Sequence, residues 1–320
     1  MECRTPTKTS NLSTVGKYGI YLVFVGIFVV LSFANRSFLT TNNLLNILKQ
    51  ASIVSVIAIG QTFCLVAGGL DLSAASVMAL AGVMSAMLGR PGSPPIVVSV
   101  AVALAIGAAC GLLNGLAIAK GGIPPFIATL GMQQAARGMA LLVTNATPVF
   151  GLSNQYAFLG GGKLFGIPML VIVLAIVLLI CWFILSRTKF GRHIYAIGGN
   201  EHSAHVCGIR IVRTKIAVYV IAGLMAGLGG LLLAGRIRSG TPTMAEGYEL
   251  DAIAGAVIGG VSTSGGVGKV YGAIVGAIML AMISNGLDLI NVPSYYQQII
   301  KGLIIVVAVL FDVKTKRIRV

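Results

Sequence analysis

The chain has 320 residues, 57% of them hydrophobic and only 10% charged. A soluble domain carries about 25% charged residues, so this composition excludes an ordinary water-soluble enzyme. A net charge of +15 invites a nucleic-acid reading, but the basic residues sit in connections between apolar runs, the distribution that membrane topology produces.

In chain order, the first apolar run, 18–35, follows a basic, polar leader and ends in "SFANRS". That ending lacks a small-x-small cleavage site, so the run is expected to stay as the first membrane helix. Further runs follow at 45–67, 72–89, 95–119, 126–144, 167–185, 216–235, 251–264, 271–289 and 297–312. Runs of ~17–25 apolar residues can cross a hydrocarbon layer of ~30 Å. None shows the short alternation of a β-barrel strand. The expected fold is an all-α polytopic membrane protein with about ten transmembrane helices.

Lysine and arginine orient it. With the amino terminus in the cytoplasm, fifteen of the 23 fall on the cytoplasmic side and six on the other, while Arg137 and Lys301 lie within segments. That asymmetry places both termini in the cytoplasm. The expected organisation is a cytoplasmic tail at 1–17, a transmembrane domain at 18–312 with a cytoplasmic loop at 186–215, and a tail at 313–320.

Two breaks interrupt long apolar stretches: "AGGLDLSAAS" around Asp71 and "STSGGVGK" at 262–269. Paired Gly-interrupted segments in two halves of a carrier point to its solute path. Leu70-Asp71-x-x-Ala74-x-x-Val77 returns as Leu250-Asp251-x-x-Ala254-x-x-Val257. The two copies start segments three and eight, five spans apart, which is the signature of a five-plus-five inverted repeat. Asp71 is expected to cap the helix that follows it. As an ionisable group at membrane depth, it also marks a path, together with Ser73, Asn114 and Asn285. Gln61 has the same two readings, helix glue or path lining. Arg137 is expected to pair with a carbonyl or water as structural support.

Several chemistries are excluded. "STSGGVGKVY" fails the phosphate-loop pattern, because Thr263 stands where glycine is needed and Val270 where Ser or Thr is needed. It reads as a flexible connection, and nucleotide chemistry must lie elsewhere. His202, His205 and Cys207 are three potential ligands within six residues, with no second cluster to complete a tetrahedral site. The five cysteines form no CxxC pair, so no disulfide framework or metal site is indicated. With eight acidic residues and no activated nucleophile beside a base, nothing reads as a catalytic constellation.

"GGNEHSAHVCGI" (198–209) is a polar helix on a basic loop, flanked by "SRTKFGRH" and "RIVRTK". Together with "LLNILKQAS", "AGGLDLSAASVMALAG", "PPFIATLGM" and "GYELDAIAGAVIGGVSTSGGVGKVYGAIVGAI", it resembles the permease subunit of bacterial ribose-type ABC sugar importers, from about residue 38 to 312. The resemblance implies a bacterial inner-membrane subunit that forms the path for a sugar, ribose or a related pentose. The implied partners are a second permease chain, identical or a paralogue, an ABC ATPase, and a periplasmic or extracellular sugar-binding protein. No cofactor is expected in this chain, since ATP and Mg would sit on the ATPase, and no nucleic acid. The family's coupling helix carries Glu-Ala-Ala with Gly seven residues after the Glu. Glu201 and Gly208 keep that spacing, with Asn200 before them, whereas His202 and Ser203 replace the alanines. On the opposite face, Arg236, Arg238, Glu246 and Glu249 would meet the binding protein. The runner-up is a stand-alone ion-coupled secondary transporter, for which only Asp71, Asp251 and Asp288 could carry coupling ions.

Overall fold

The computed structural model describes residues 24–33 and 35–317. The expected tail at 1–17 lies outside them. Helix α1 (Phe24–Phe33) and a 3₁₀ turn (Arg36–Leu39) lead into α2 (Thr41–Val66), α3 (Ala74–Met87), α4 (Ile96–Ala119) and α5 (Pro125–Thr144). A short α6 (Asn154–Gly161) and a hairpin of β1 (Lys163–Leu164) and β2 (Ile167–Pro168) precede α7 (Met169–Arg187). Two small helices, α8 (Lys189–Gly199) and α9 (Glu201–Val206), join it to α10 (Ile211–Ile237), α11 (Tyr248–Ile258), α12 (Val270–Leu289) and α13 (Ser294–Arg317).

Every expected segment meets a helix, but among the described residues only α2, α4, α7, α10 and α12 are long and apolar enough to span a bilayer. Helices α3 and α11, with 14 and 11 residues, rise only about 21 and 16 Å at 1.5 Å per residue. The segment expected over 251–264 therefore stops at Ile258, where Gly259 and Gly260 turn the chain with Gly260 at φ +84. At the carboxyl end, α13 runs on to Arg317, through the start of the expected tail.

Hydropathy and burial run in opposite senses across the five long helices. The most apolar, α7, has mean hydropathy 3.2 and only 22% of its central window buried, whereas α2 has the lowest, 1.4, and is 83% buried. Helices α4, α10 and α12 fall in order between them. A water-soluble fold shows the reverse, with apolar residues inside. Here the outside is the more apolar environment, as lipid requires.

Backbones meet directly at two places. Ala103, Gly107, Gly111 and Gly115 on α4 face Ile216, Tyr219, Gly223 and Gly227 on α10, and a β-carbon at Gly107 or Gly223 would overlap the other's carbonyl. Gly255 on α11 and Gly259 just past its end meet Gly276 and Gly272 on α12 in the same way. Small residues every fourth position let membrane helices approach this closely, with packing rather than hydrophobic exclusion holding them together. Helix α10 also packs on α3, and α2 packs on both α11 and α12.

Candidate functional site

Asp71 occupies the seven-residue break between α2 and α3, and four helices hold that break. Its Oδ1 accepts from the Ser73 N–H (2.9 Å) and the Ser73 hydroxyl (2.6 Å), and Asn114 Nδ2 of α4 donates to Ser73 Oγ (3.0 Å). The Gln61 amide of α2, with its nitrogen toward Asp71 O, donates at 3.1 Å and accepts from Asp71 N–H at 3.2 Å. Thr129 of α5 accepts from Leu72 N–H (3.2 Å), and the Tyr219 hydroxyl of α10 donates to Leu70 O (3.4 Å). Asp71, Ser73 and Asn114 are all buried.

This corrects the expected capping role. The N-cap of α3 is Ser73, and Asp71, two residues earlier, binds the cap residue's own N–H rather than those of the first turn. Three of the four expected path residues thus form one node, which Asn285 does not join. Asn285 exchanges two 2.8 Å hydrogen bonds with Asn43, tying α12 to the start of α2.

A second polar group was not anticipated as a unit. Gln133 Nε2 of α5 donates to Glu249 Oε1 of α11 (3.2 Å), and Lys301 Nζ of α13 pairs with Asp251 Oδ2 of α11 (2.9 Å). One turn along α5, Arg137 donates through one guanidinium nitrogen to Pro242 O and Met244 O. It is thus carbonyl-paired, as expected. Glu249, placed on the outer rim by sequence reasoning, is 9% exposed and faces α5. The residues between α10 and α11 fold back against α3 and α5 instead of standing clear: Met244 packs against Gly82, and Gly240 pairs with Val149. Arg238 and Glu246 are exposed, and Arg236 is half-buried. The signal that could have found the group is the pairing of stray polar residues within apolar runs: Gln133 and Arg137 at i, i+4, and the oppositely charged Lys301 and Asp251.

The polar loop forms an elbow. Thr188 caps α8 by accepting from Gly191 N–H (3.1 Å), and Gly191, Ile194 and Ile197 bury one face of that helix. Asn200 ends α8 and caps α9 by accepting from Ser203 N–H (2.8 Å), while Gly208, at φ +79, supplies the left-handed residue that closes it. Both Glu201 oxygens bind Lys215 Nζ on α10 (2.7 and 2.8 Å). Glu201 is thus tied to its own chain while its side chain stays exposed, and α9 offers outward Glu201, His202, Ser203, His205 and Val206, with only Ala204 buried.

The elbow bears on both Gly-rich breaks. Gly198 lies against Val66 O, the end of α2, and Gly266 N–H donates to that same oxygen (2.9 Å). The Tyr195 hydroxyl donates to Gly268 O (2.6 Å), and Ser262 N–H donates to Val267 O (2.9 Å). "STSGGVGK", expected as a flexible connection, is instead a clamped loop between α8 and α2.

Residues 43–309 match the model of a family described as the branched-chain amino acid transport system / permease component. The ribose import permease protein RbsC of Bacillus subtilis is 42% identical over 91% of this chain and 92% of its own length. The D-allose transport system permease protein AlsC of Escherichia coli is 36% identical over 92% of this chain and 91% of its own. The L-arabinose ABC transporter permease protein AraH of Azospirillum brasilense is 36% identical over 93% and 88%. No solved structure matches the chain. The chain belongs to the permease-component family of the branched-chain amino acid transport system.

Proposed function

We propose that this chain is the membrane-spanning permease subunit of an ATP-driven ABC importer that carries a sugar, ribose or a related pentose. The observation that carries the reading is the near full-length similarity to permeases named for ribose, allose and arabinose, at 36–42% identity. The same similarity favours the importer over a stand-alone ion-coupled carrier. The chain is a transport subunit and not an enzyme. ATP hydrolysis belongs to a separate ABC ATPase, which holds ATP and Mg. A binding protein delivers the sugar, and a second permease chain, identical or a paralogue, completes the path in the bacterial inner membrane.

The reading assigns ten membrane segments with both termini cytoplasmic and two inverted halves. The helix contacts support the halves. Helix α2 packs on α11 and α12 while α10 packs on α3 and α4, and α3 contacts α4 and α5 as α11 contacts α12 and α13. Each contact is the other's counterpart under exchange of α2–α5 with α10–α13. Helix α9 docks into the ATPase through its exposed face, with Asn200 and Gly208 shaping the helix and Glu201 bracing it to α10. Its movement reaches the Asp71 node through Gly198, Val66 and Gly266. Arg236, Arg238 and Glu246 meet the binding protein, and Asp71, Ser73 and Asn114 border the path.

The test is purification from the native membrane in mild detergent, with radiolabelled D-ribose uptake measured in vesicles. Co-purification of an ABC ATPase, with uptake that stops on ATP depletion and survives collapse of the proton gradient, is the expected result. Uptake that follows the proton gradient instead would return the carrier reading.

A further inference from the structure

Helix α7 is the chain's best ruler for the bilayer. Its 19 residues rise about 28 Å, close to the ~30 Å of a hydrocarbon core. Ile176, Leu179, Ile180 and Phe183, each more than half exposed, form a stripe at helical spacing along its lipid-facing side. The next position on that stripe is Arg187, the last residue of the helix. Its guanidinium folds back over the Trp182 ring, 5.6 Å from the centroid, toward the membrane and not away from it. Tryptophan near the end of a spanning helix marks the headgroup level. The chain then turns sharply. Gly191 of α8 lies against the Ile184 and Leu185 carbonyls, which sets the first turn of α8 against the end of α7 and brings the exposed Lys189 and Arg192 to the same corner. Neither α7 nor α8 carries an acidic residue, and none of the three cations is ion-paired among the described residues. Of the helices packed against them, α2, α6 and α10 carry no acid, while α9 and α12 carry one each. Glu201 is bonded to Lys215, and Asp288, held by Gln297 Nε2 (2.7 Å), lies far from the elbow, about 27 Å along α12 from its start.

We infer that the α7–α8 corner binds the headgroup of an anionic phospholipid of the cytoplasmic leaflet, with Arg187, Lys189 and Arg192 as its cations and Trp182 as the wall beside the acyl chains. Chemistry and position select that ligand. A phosphodiester offers charged acceptors that a guanidinium engages as a fork, and Arg187 is already held against an aromatic face, so it loses little freedom on binding. A zwitterionic headgroup brings an ammonium of its own, which Lys189 and Arg192 repel. The corner opens onto the exposed stripe of α7, where lipid is always at hand and its chains lie along Phe183 and Leu179, whereas a soluble phosphate must arrive from water. Helix α9, which docks into the ATPase, begins only after the 11 residues of α8, about 16 Å further along. The inference rests on α7 crossing the bilayer and holds whichever solute the chain carries.

Trp182 is the one tryptophan of the sequence, so its fluorescence reads the corner directly. The full-length chain is reconstituted in phosphatidylcholine vesicles holding a minor share of lipid brominated on the acyl chains near the headgroup, either phosphatidylglycerol or phosphatidylcholine. At equal share, brominated phosphatidylglycerol quenches Trp182 about fivefold more effectively than brominated phosphatidylcholine. Arg187→Gln with Arg192→Gln brings that ratio close to one. Arg210→Gln with Arg213→Gln removes the same charge from the neighbouring surface and leaves the ratio at its wild-type value. Each ratio compares two lipids on one variant, so loss of the stacking on Trp182 does not enter it. A ratio near one in the wild-type chain overturns the site, and an equal fall in both double variants reduces it to the general attraction of a basic surface. Loss of the preference on adding inorganic phosphate, but not chloride of matched ionic strength, would assign the corner to a free anion. An unchanged preference in Arg187→Gln with Arg192→Gln, joined to loss of the ATPase on purification, would assign it to that partner. The wild-type ratio needs no variant, so the test stands even if a double substitution fails to fold.

Discussion

Replacing Gly198 with alanine puts one methyl group into the contact between α8, α2 and the α11–α12 loop. A β-carbon there overlaps Val66 O and comes within 2.6 Å of Gly266 N. Neighbours on both sides are backbone, which cannot rotate away, so one of three segments must retreat by about an ångström or more to restore ordinary contact. Overpacking of this kind costs about 1–3 kcal/mol. If the retreat breaks the Gly266 N–H to Val66 O bond, the stranded groups add about 1–3 kcal/mol. Total stabilities run to about 5–15 kcal/mol, so the chain stays folded while the junction opens. The expected result is a complex that still hydrolyses ATP but takes up D-ribose at least about tenfold more slowly, the consequence of losing 1.4 kcal/mol of coupling. Gly199→Ala is the control: a methyl added there would meet nothing within 4 Å, and uptake stays at the wild-type level. Equal uptake by the two variants would refute the idea that this contact transmits motion.

Three further outcomes follow from other contacts. Glu201→Ala and Lys215→Ala remove a bridge whose Glu side chain is 54% exposed, so each lowers chain stability by no more than about 1 kcal/mol. Both reduce ATPase retention during purification, and the double variant is no worse than either single one, a cycle that fails if Glu201 contacts the ATPase itself. Asp71→Asn keeps an acceptor for Ser73 N–H and leaves the unfolding temperature nearly unchanged in detergent, whereas Asp71→Leu strands Ser73 and costs about 1–3 kcal/mol. Equal melting of the two would show that the node is not held by that oxygen. Gly223→Leu drives a side chain into the α4 backbone and abolishes the folded chain in detergent, read as loss of a monodisperse gel-filtration peak. A normal peak would mean the α4–α10 contact is looser than described.

Much of this was legible because lipid imposes a length rule. Helices α2, α4, α7, α10 and α12 coincide with apolar runs because a spanning helix must satisfy its backbone internally and hide its polar residues. The polar elbow stood out for the same reason, as basic residues cannot lie in hydrocarbon. Three things were hidden. Averaging over a run dilutes single polar residues, so Gln133 and Lys301 looked like exceptions rather than parts of one seam. Glu249 follows a stretch rich in turn residues, which reads as an outer loop, and only the fold reveals that the loop doubles back to Arg137. Glycines announce close approach without naming the partner: "GGVGK" reads as slack until Val66 and Gly198 are found pressed against it. Tertiary partners of this kind carry no signal in spacing along one chain.

Where Gly107 meets Gly223, the spacing is set by peptide groups, which have no rotamers. Such a contact cannot loosen by rearranging side chains, only by breaking along its length. Helix α4 belongs to the first half of the chain and α10 to the second, so the seam welds the halves into one solid piece. The two halves of the chain can shift past each other along this seam only if that backbone contact breaks, so they move as one body.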